Sequence, residues 1–99
     1  MKISQEEYDQ IESLSALNYS PEKIAIYLSF DKKEFMKEWK DATSLVRYHY
    51  DKGQLEVDVV INTKLLENAK SGNITAAQMI EKKQWENKIE NWKKQILYD

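Results

Sequence analysis

The sequence predicts an all-α protein, with an N-terminal three-helix helix-turn-helix unit followed by a long antiparallel helical hairpin. Two observations carry this prediction. Two glycines and one proline occur among 99 residues, of which 41% are hydrophobic and 32% are charged, a composition typical of a helical globular chain. Helix-start signals also recur, each a capping side chain at the entry to an apolar-periodic segment. A chain of this length can build one modest core.

Three short helices are predicted first. Each of them begins with a helix-start signal: the first and third with a capping box, and the second with a serine followed by a proline. A further capping box begins the last helix of the chain. These signals are Ser4 with Glu7, Ser20 with Pro21, Asp31 with Glu34, and Thr75 with Gln78. They predict helices over residues 5–17, 21–28 and 32–40. The tight connections force neighbouring helices to cross steeply, and we assign residues 1–42 to the helix-turn-helix unit.

A long amphipathic helix is predicted next. Apolar residues recur at three-and-four spacing from Leu45 to Ala69, which is typical of one buried helical face. The capping residue is open among Asp41, Thr43 and Ser44. Gly53 lies inside the helix and costs about 1 kcal/mol relative to alanine, so a kink or a break there is left open.

The last predicted helix completes the hairpin. Residues 71–73 hold a serine, a glycine and an asparagine, and glycine commonly follows a helix end. A new helix is predicted from Thr75 to the end of the chain, with a bend near residues 82–85, where the apolar phase shifts. We assign residues 43–99 to a helical hairpin that mediates oligomerisation.

Basic residues concentrate in the middle of the sequence, although the whole chain has a net charge of −2. Residues 32–52 hold six basic groups against four acids, whereas residues 1–31 hold two lysines against six acids. Lysines in the first turn of a helix oppose its dipole, so a phosphate partner would explain a placement that folding disfavours. The candidate DNA-binding residues are Lys32, Lys33, Lys37, Lys40 and Arg47.

The third helix offers no arginine, asparagine or glutamine, which favours contact with phosphates over readout of bases. Glu34, Glu38 and Asp41 run beside its lysines. A solvated face of alternating charge is therefore the alternative interpretation of this helix.

The two long helices predict self-association. Their broad apolar faces are attached to a small three-helix core, which leaves apolar surface for contact between copies. The candidate oligomerisation residues are Leu55, Val59, Leu66, Trp85, Ile89, Trp92 and Ile96.

The sequence gives little indication of catalysis. Gly53 and Gly72 are isolated, so a glycine-rich phosphate loop is absent. His49, the only histidine, is interpreted as a residue on a helix surface. We expect no enzyme activity, no metal site and no cofactor.

The apolar runs are too short to span a bilayer and the chain lacks a secretion signal, so a cytoplasmic protein without a membrane partner is expected.

The sequence also resembles the small terminase subunits of tailed bacteriophages. The resemblance is carried by "LNYSPEKIAIYLSFDKKEF" followed by "YHYDKGQLEVDVVINTKLLENAKSGNITAAQMIEKKQW". Such proteins typically have a helix-turn-helix, a tyrosine-and-glycine segment, a long helix with an alanine-and-glycine turn, and an alanine-rich helix leading to a tryptophan. The corresponding residues are Tyr50, Gly53, Ala69, Gly72, Ala76, Ala77 and Trp85. Ser29 differs, because glycine often holds that turn position.

The resemblance implies a ring-forming subunit that recognises viral double-stranded DNA for packaging and presents it to the large terminase subunit. A phage-encoded chain would act in the cytoplasm of its bacterial host.

Two alternative functions stay open. One is a helix-turn-helix transcriptional regulator or transposase-type adaptor, which would normally bind as a dimer. The other is a protein-interaction module that does not bind DNA.

Overall fold

The computed structural model describes residues 1–98, with side chains as far as Gln95, and it confirms the all-α class. The helices are α1 (Gln5–Ala16), α2 (Pro21–Tyr27), α3 (Lys32–Lys40), α4 (Leu45–Lys70) and α5 (Ile74–Tyr98). The description of α2 and α3 as a DNA-binding helix-turn-helix, and of α4 and α5 as an antiparallel hairpin, stays a prediction.

The predicted caps begin the first three helices. Ser4 and Glu7 form both hydrogen bonds of a capping box at α1, with lengths of 3.1 and 3.0 Å. The Ser20 hydroxyl accepts from the third residue of α2 at 3.3 Å, and the Asp31 carboxylate accepts from the Glu34 amide of α3 at 3.0 Å. Because these bonds satisfy amides that a helix cannot pair internally, they fix where each helix starts.

Three helices end in the same backbone arrangement. Asn18, Ser29 and Gly72 adopt φ angles of 66°, 61° and 98° just after α1, α2 and α4. After α2, the Phe30 amide donates to the Ala25 carbonyl at 2.9 Å and the Ser29 amide donates to the Ile26 carbonyl at 3.2 Å. This pair of bonds is the Schellman motif, which terminates a helix by turning one residue into the left-handed region.

The core lies in the N-terminal part of the chain. Its buried residues come from α1, α2, α3 and the first turn of α4, and they are Ile11, Ile24, Ala25, Phe35 and Val46. The chain forms two compact units, of which the first is Met1–Val59 and the second begins at Val60. The first unit therefore extends beyond residue 42, where the sequence places the boundary, because α4 supplies part of the core.

Gly53 lies within α4, which is one uninterrupted helix, so the break considered from the sequence is absent. The glycine is buried, and a Cβ atom there would collide with the Ser15 hydroxyl and the Glu12 carbonyl of α1. Ser15 also donates a hydrogen bond of 2.8 Å to the Tyr50 carbonyl. Gly53 is thus the point at which the backbones of α1 and α4 approach each other.

Helix α5 differs from its prediction at its start. The Asn73 side chain accepts from the Ala76 amide at 2.9 Å, so Asn73 is the cap and the predicted Thr75 box is wrong. Helix α5 then continues as one element through residues 82–85, where the sequence predicts a bend. In its first turns, Ala76 is buried and Ile80 is half-buried.

Candidate functional site

The lysines of α3 lie along one exposed surface. Lys32, Lys33, Met36, Lys37 and Lys40 line a shallow depression with a volume of about 550 Å³, and we call this surface the α3 lysine face. All four lysines are exposed, and Met36 is half-buried. The opposite side of α3 holds Phe35, which is fully buried in the core. Packing of Phe35 therefore fixes the direction in which the lysines point.

The α3 lysine face carries four positive charges on exposed side chains. In the part of the chain that the structure describes, none of the four lysines forms an ion pair. Four ammonium groups on a nine-residue helix repel one another, and this repulsion is relieved when an anion binds.

Two of the three acids beside these lysines stand at the end of α3. The backbone carbonyl of Glu38 accepts a hydrogen bond of 2.6 Å from the Ser44 hydroxyl. Asp41 accepts from the Thr43 hydroxyl at 2.6 Å and from the Thr43 amide at 2.9 Å. These two bonds lower the pKa of Asp41 below its usual value. The Asp41 charge is therefore directed at the turn that follows α3.

Arg47 differs from the α3 lysines because its guanidinium group has partners within the chain. Its Nε atom donates to the Asp51 carboxylate at 3.0 Å, and its Nη1 atom donates to the Trp39 carbonyl at 3.4 Å. The guanidinium carbon also lies 4.5 Å from the centre of the Trp39 ring. Arg47 thus secures the start of α4 to the end of α3, and it does not line the depression that the lysines form.

His49 occupies a contact between α1 and α4. Its Nδ1 atom lies 2.6 Å from a Glu12 carboxylate oxygen, and its ring stacks on Tyr8 with centroids 4.8 Å apart. Lys52 approaches the same carboxylate at 3.5 Å and its pKa is raised, mainly by the Glu12 charge. The interpretation of His49 as a surface residue is wrong, because its side chain is only 12% exposed. The sequence signal for this pairing is weak, since 37 residues separate the two partners.

Tyr50 ties α4 to the turn after α1. Its hydroxyl donates to the Tyr19 carbonyl at 3.2 Å, and its ring meets the Trp39 ring edge-on with centroids 5.6 Å apart. Burial raises the pKa of Tyr50, and the Asp51 charge adds to the effect. Together with Gly53 and His49, this residue holds α4 against the three short helices and so keeps α3 in place.

The predicted oligomerisation residues are largely exposed. Leu55, Val59 and Leu66 are exposed on α4, and Trp85 and Trp92 are 54% and 50% exposed on α5. Ile89 is half-buried. The Trp85 and Trp92 rings meet edge-on with centroids 6.2 Å apart. The side chain of Ile96 lies outside the described residues.

A second surface was missed by the sequence interpretation. An open cavity of about 350 Å³ lies between α1 and α2, and we call it the α1–α2 groove. Its lining residues are Leu14, Leu17, Tyr19, Lys23, Ile24 and Tyr27. Leu17 is 69% exposed and Tyr27 is 71% exposed. Leu17 is the residue just after α1, next to the left-handed turn at Asn18.

The described residues include no group of three or more acidic, histidine or cysteine side chains that could hold a metal ion. Among the same residues, no helix has the length and apolar character needed to cross a membrane. No protein-family model, curated protein or solved structure matches this chain.

Proposed function

We propose that this protein binds double-stranded DNA through the α3 lysine face. The observation that carries the proposal is the set of four exposed lysines, without ion pairs in the described chain, on one surface of a helix that the core holds in place. Phosphate groups of a duplex are the ligands that such a surface suits, because their neutralisation releases counterions into solution.

The arrangement of the three short helices α1, α2 and α3 supports binding through α3 in particular. Helices α2 and α3 are joined by the four residues 28–31, and α1 precedes them, as in proteins that insert the last of three helices into the major groove. Lysine contacts to phosphates would position the helix, while the absence of arginine, asparagine and glutamine from α3 favours binding with little sequence discrimination.

The biological role we propose is that of a small-terminase-like subunit. In this role the protein recognises viral DNA for packaging, assembles into a homo-oligomer and passes the DNA to a large terminase subunit. Its support is the resemblance of the sequence segments quoted above, together with exposed apolar residues on α4 and α5. A transcriptional regulator or transposase-type adaptor would use the same α3 surface, and an assembly limited to a dimer would favour that function.

Charge reversal on α3 tests the proposal. A Lys33→Glu, Lys37→Glu variant is expected to weaken duplex binding by about tenfold or more at about 50 mM salt, because two phosphate contacts are lost and two repulsions are added. Fluorescence anisotropy of a labelled duplex measures the affinity. Both lysines are exposed, so circular dichroism of the variant is expected to match that of the wild type.

The matched control is Lys64→Glu, Lys70→Glu, which changes the net charge equally at two exposed positions of α4. This control is expected to bind within about threefold of the wild type. Equal losses in both variants would show a response to total charge and would overturn the assignment of DNA contact to α3. An absence of binding by the wild type would favour the protein-interaction alternative.

A further inference from the structure

We infer that Met36 is the residue through which the α3 lysine face contacts bases, by packing its side chain against the C5-methyl group of thymine in the major groove. The inference deepens the proposed function and rests on it, because it requires a duplex bound at this face. It adds a modest preference for thymine to a surface whose lysines contact phosphates, which carry no sequence information.

Met36 is the one apolar residue among those that line the depression on α3. Its side chain is half-buried. Within the part of the chain that the structure describes, the partly buried apolar side chains that pack against the core do not include Met36. Its neighbour Phe35 fills that role and is fully buried. The Met36 side chain is therefore available to a ligand that occupies the depression.

The turn of the helix places Met36 between lysines and away from acids. Lys32 and Lys40 stand four residues before and after it, so at 100° per residue they lie about 40° to either side of it. Glu34 and Glu38 stand two residues before and after it, and the same turn carries them about 160° away. A ligand above Met36 thus meets a small apolar contact flanked by positive charges.

The major groove of DNA presents the complementary arrangement. Phosphates border the groove on both sides, and its floor carries the base edges, among which only thymine offers a methyl group. Lys32 and Lys40 are separated by about 12 Å along the helix axis, a distance close to the width of the groove. When these two lysines contact phosphates on both sides, Met36 stands over the base edges.

The chemistry of methionine limits what it can recognise in the groove. Its thioether is at best a weak hydrogen-bond acceptor, so it reads the donors and acceptors of the base edges poorly. Its unbranched side chain adapts to irregular apolar surfaces, and the thymine methyl group is the apolar feature of the groove. Removing one methyl group from water changes an affinity by roughly threefold to fivefold, which sets the size of the expected preference.

Removal of the thymine methyl group tests the inference. Two alternating duplexes of equal length are compared, one built from adenine and thymine and one with deoxyuridine in place of every thymidine. The two differ only in the C5-methyl group. Fluorescence anisotropy at about 50 mM salt is expected to show that the wild type binds the thymine duplex roughly threefold to fivefold more tightly. Met36→Ala is expected to bind both duplexes equally.

Two further variants serve as controls. Met36→Leu keeps an apolar side chain of similar volume and is expected to keep the preference for thymine. Met79→Ala removes an exposed methionine from α5 and is also expected to keep it. Circular dichroism of all three variants is expected to match that of the wild type, because neither methionine belongs to the core cluster.

The ratio of the two affinities and their absolute size report on different claims. Equal affinity of the wild type for both duplexes, or an undiminished preference in Met36→Ala, would overturn the role of Met36 and leave the α3 lysine face as a phosphate site. A wild type that binds neither duplex would overturn the proposed function and this inference with it. The two failures are therefore distinguishable in one set of measurements.

Discussion

At the scale of single residues, the backbone after α2 holds a conformation that its side chain disfavours. Ser29 has a φ angle of 61°, and the left-handed region costs a residue with a Cβ atom about 1–2 kcal/mol. The Schellman hydrogen bonds around it, from the Phe30 and Ser29 amides, hold the residue there. This strained turn sets the separation of α2 from α3 and so the position of the α3 lysine face.

A Ser29→Gly variant is therefore expected to be more stable than the wild type. Glycine adopts a positive φ without steric cost but loses more entropy on folding, so the net gain is about 0.5–1 kcal/mol. Urea unfolding followed by circular dichroism measures it. Ser13→Gly, inside α1, is the control and is expected to lower the stability by about as much. A loss of stability in the Ser29→Gly variant, like the loss expected for Ser13→Gly, would contradict the assignment of strain to Ser29.

At the scale of elements, α4 is held to α1 by a close backbone approach and by polar contacts on both sides of it. Gly53 permits the approach. Ser15 donates to the Tyr50 carbonyl at 2.8 Å, and Glu12 pairs with His49 at 2.6 Å. The three short helices thus depend on α4 to complete their core through Val46.

Gly53→Ala is expected to destabilise the protein, although alanine favours an isolated helix by about 1 kcal/mol over glycine. The added methyl group would collide with Ser15 and with the Glu12 carbonyl, and overpacking of this kind costs roughly 1–3 kcal/mol. Urea unfolding of the variant measures the loss. Adding Ser15→Ala to the variant is expected to recover part of it, because one of the colliding groups is removed. A more stable single variant would contradict the proposed close approach.

The sequence alone predicted the helix starts that depend on residues close to one another in the chain. Capping side chains and the proline located the starts of α1, α2 and α3, because those hydrogen bonds join residues three positions apart. Contacts between distant residues were missed. The Glu12–His49 pair, the role of Gly53 and the groove beside Tyr27 depend on how α1, α2 and α4 pack together, which residue spacing does not encode. The four lysines of α3 were named from the sequence as candidate DNA-binding residues, and the structure places them around one depression.

At the scale of the whole molecule, the described residues form two surfaces of different chemistry. The α3 lysine face is lined by four lysines, whereas the α1–α2 groove is lined mainly by apolar side chains. Binding at the α3 lysine face should therefore depend on salt, since screening weakens charge contacts and leaves apolar contacts largely unchanged.

The most direct test of the central claim is the salt dependence of duplex binding by the wild type and by Lys33→Glu, Lys37→Glu. The four lysines of α3 predict a slope of about −3 to −4 for log Kobs against log salt, since each phosphate contact contributes about −0.9. The slope of the variant is expected to be shallower by about 2, because two phosphate contacts are removed. A wild-type affinity that is indifferent to salt, or an unchanged slope in the variant, would contradict binding of DNA by the α3 lysine face.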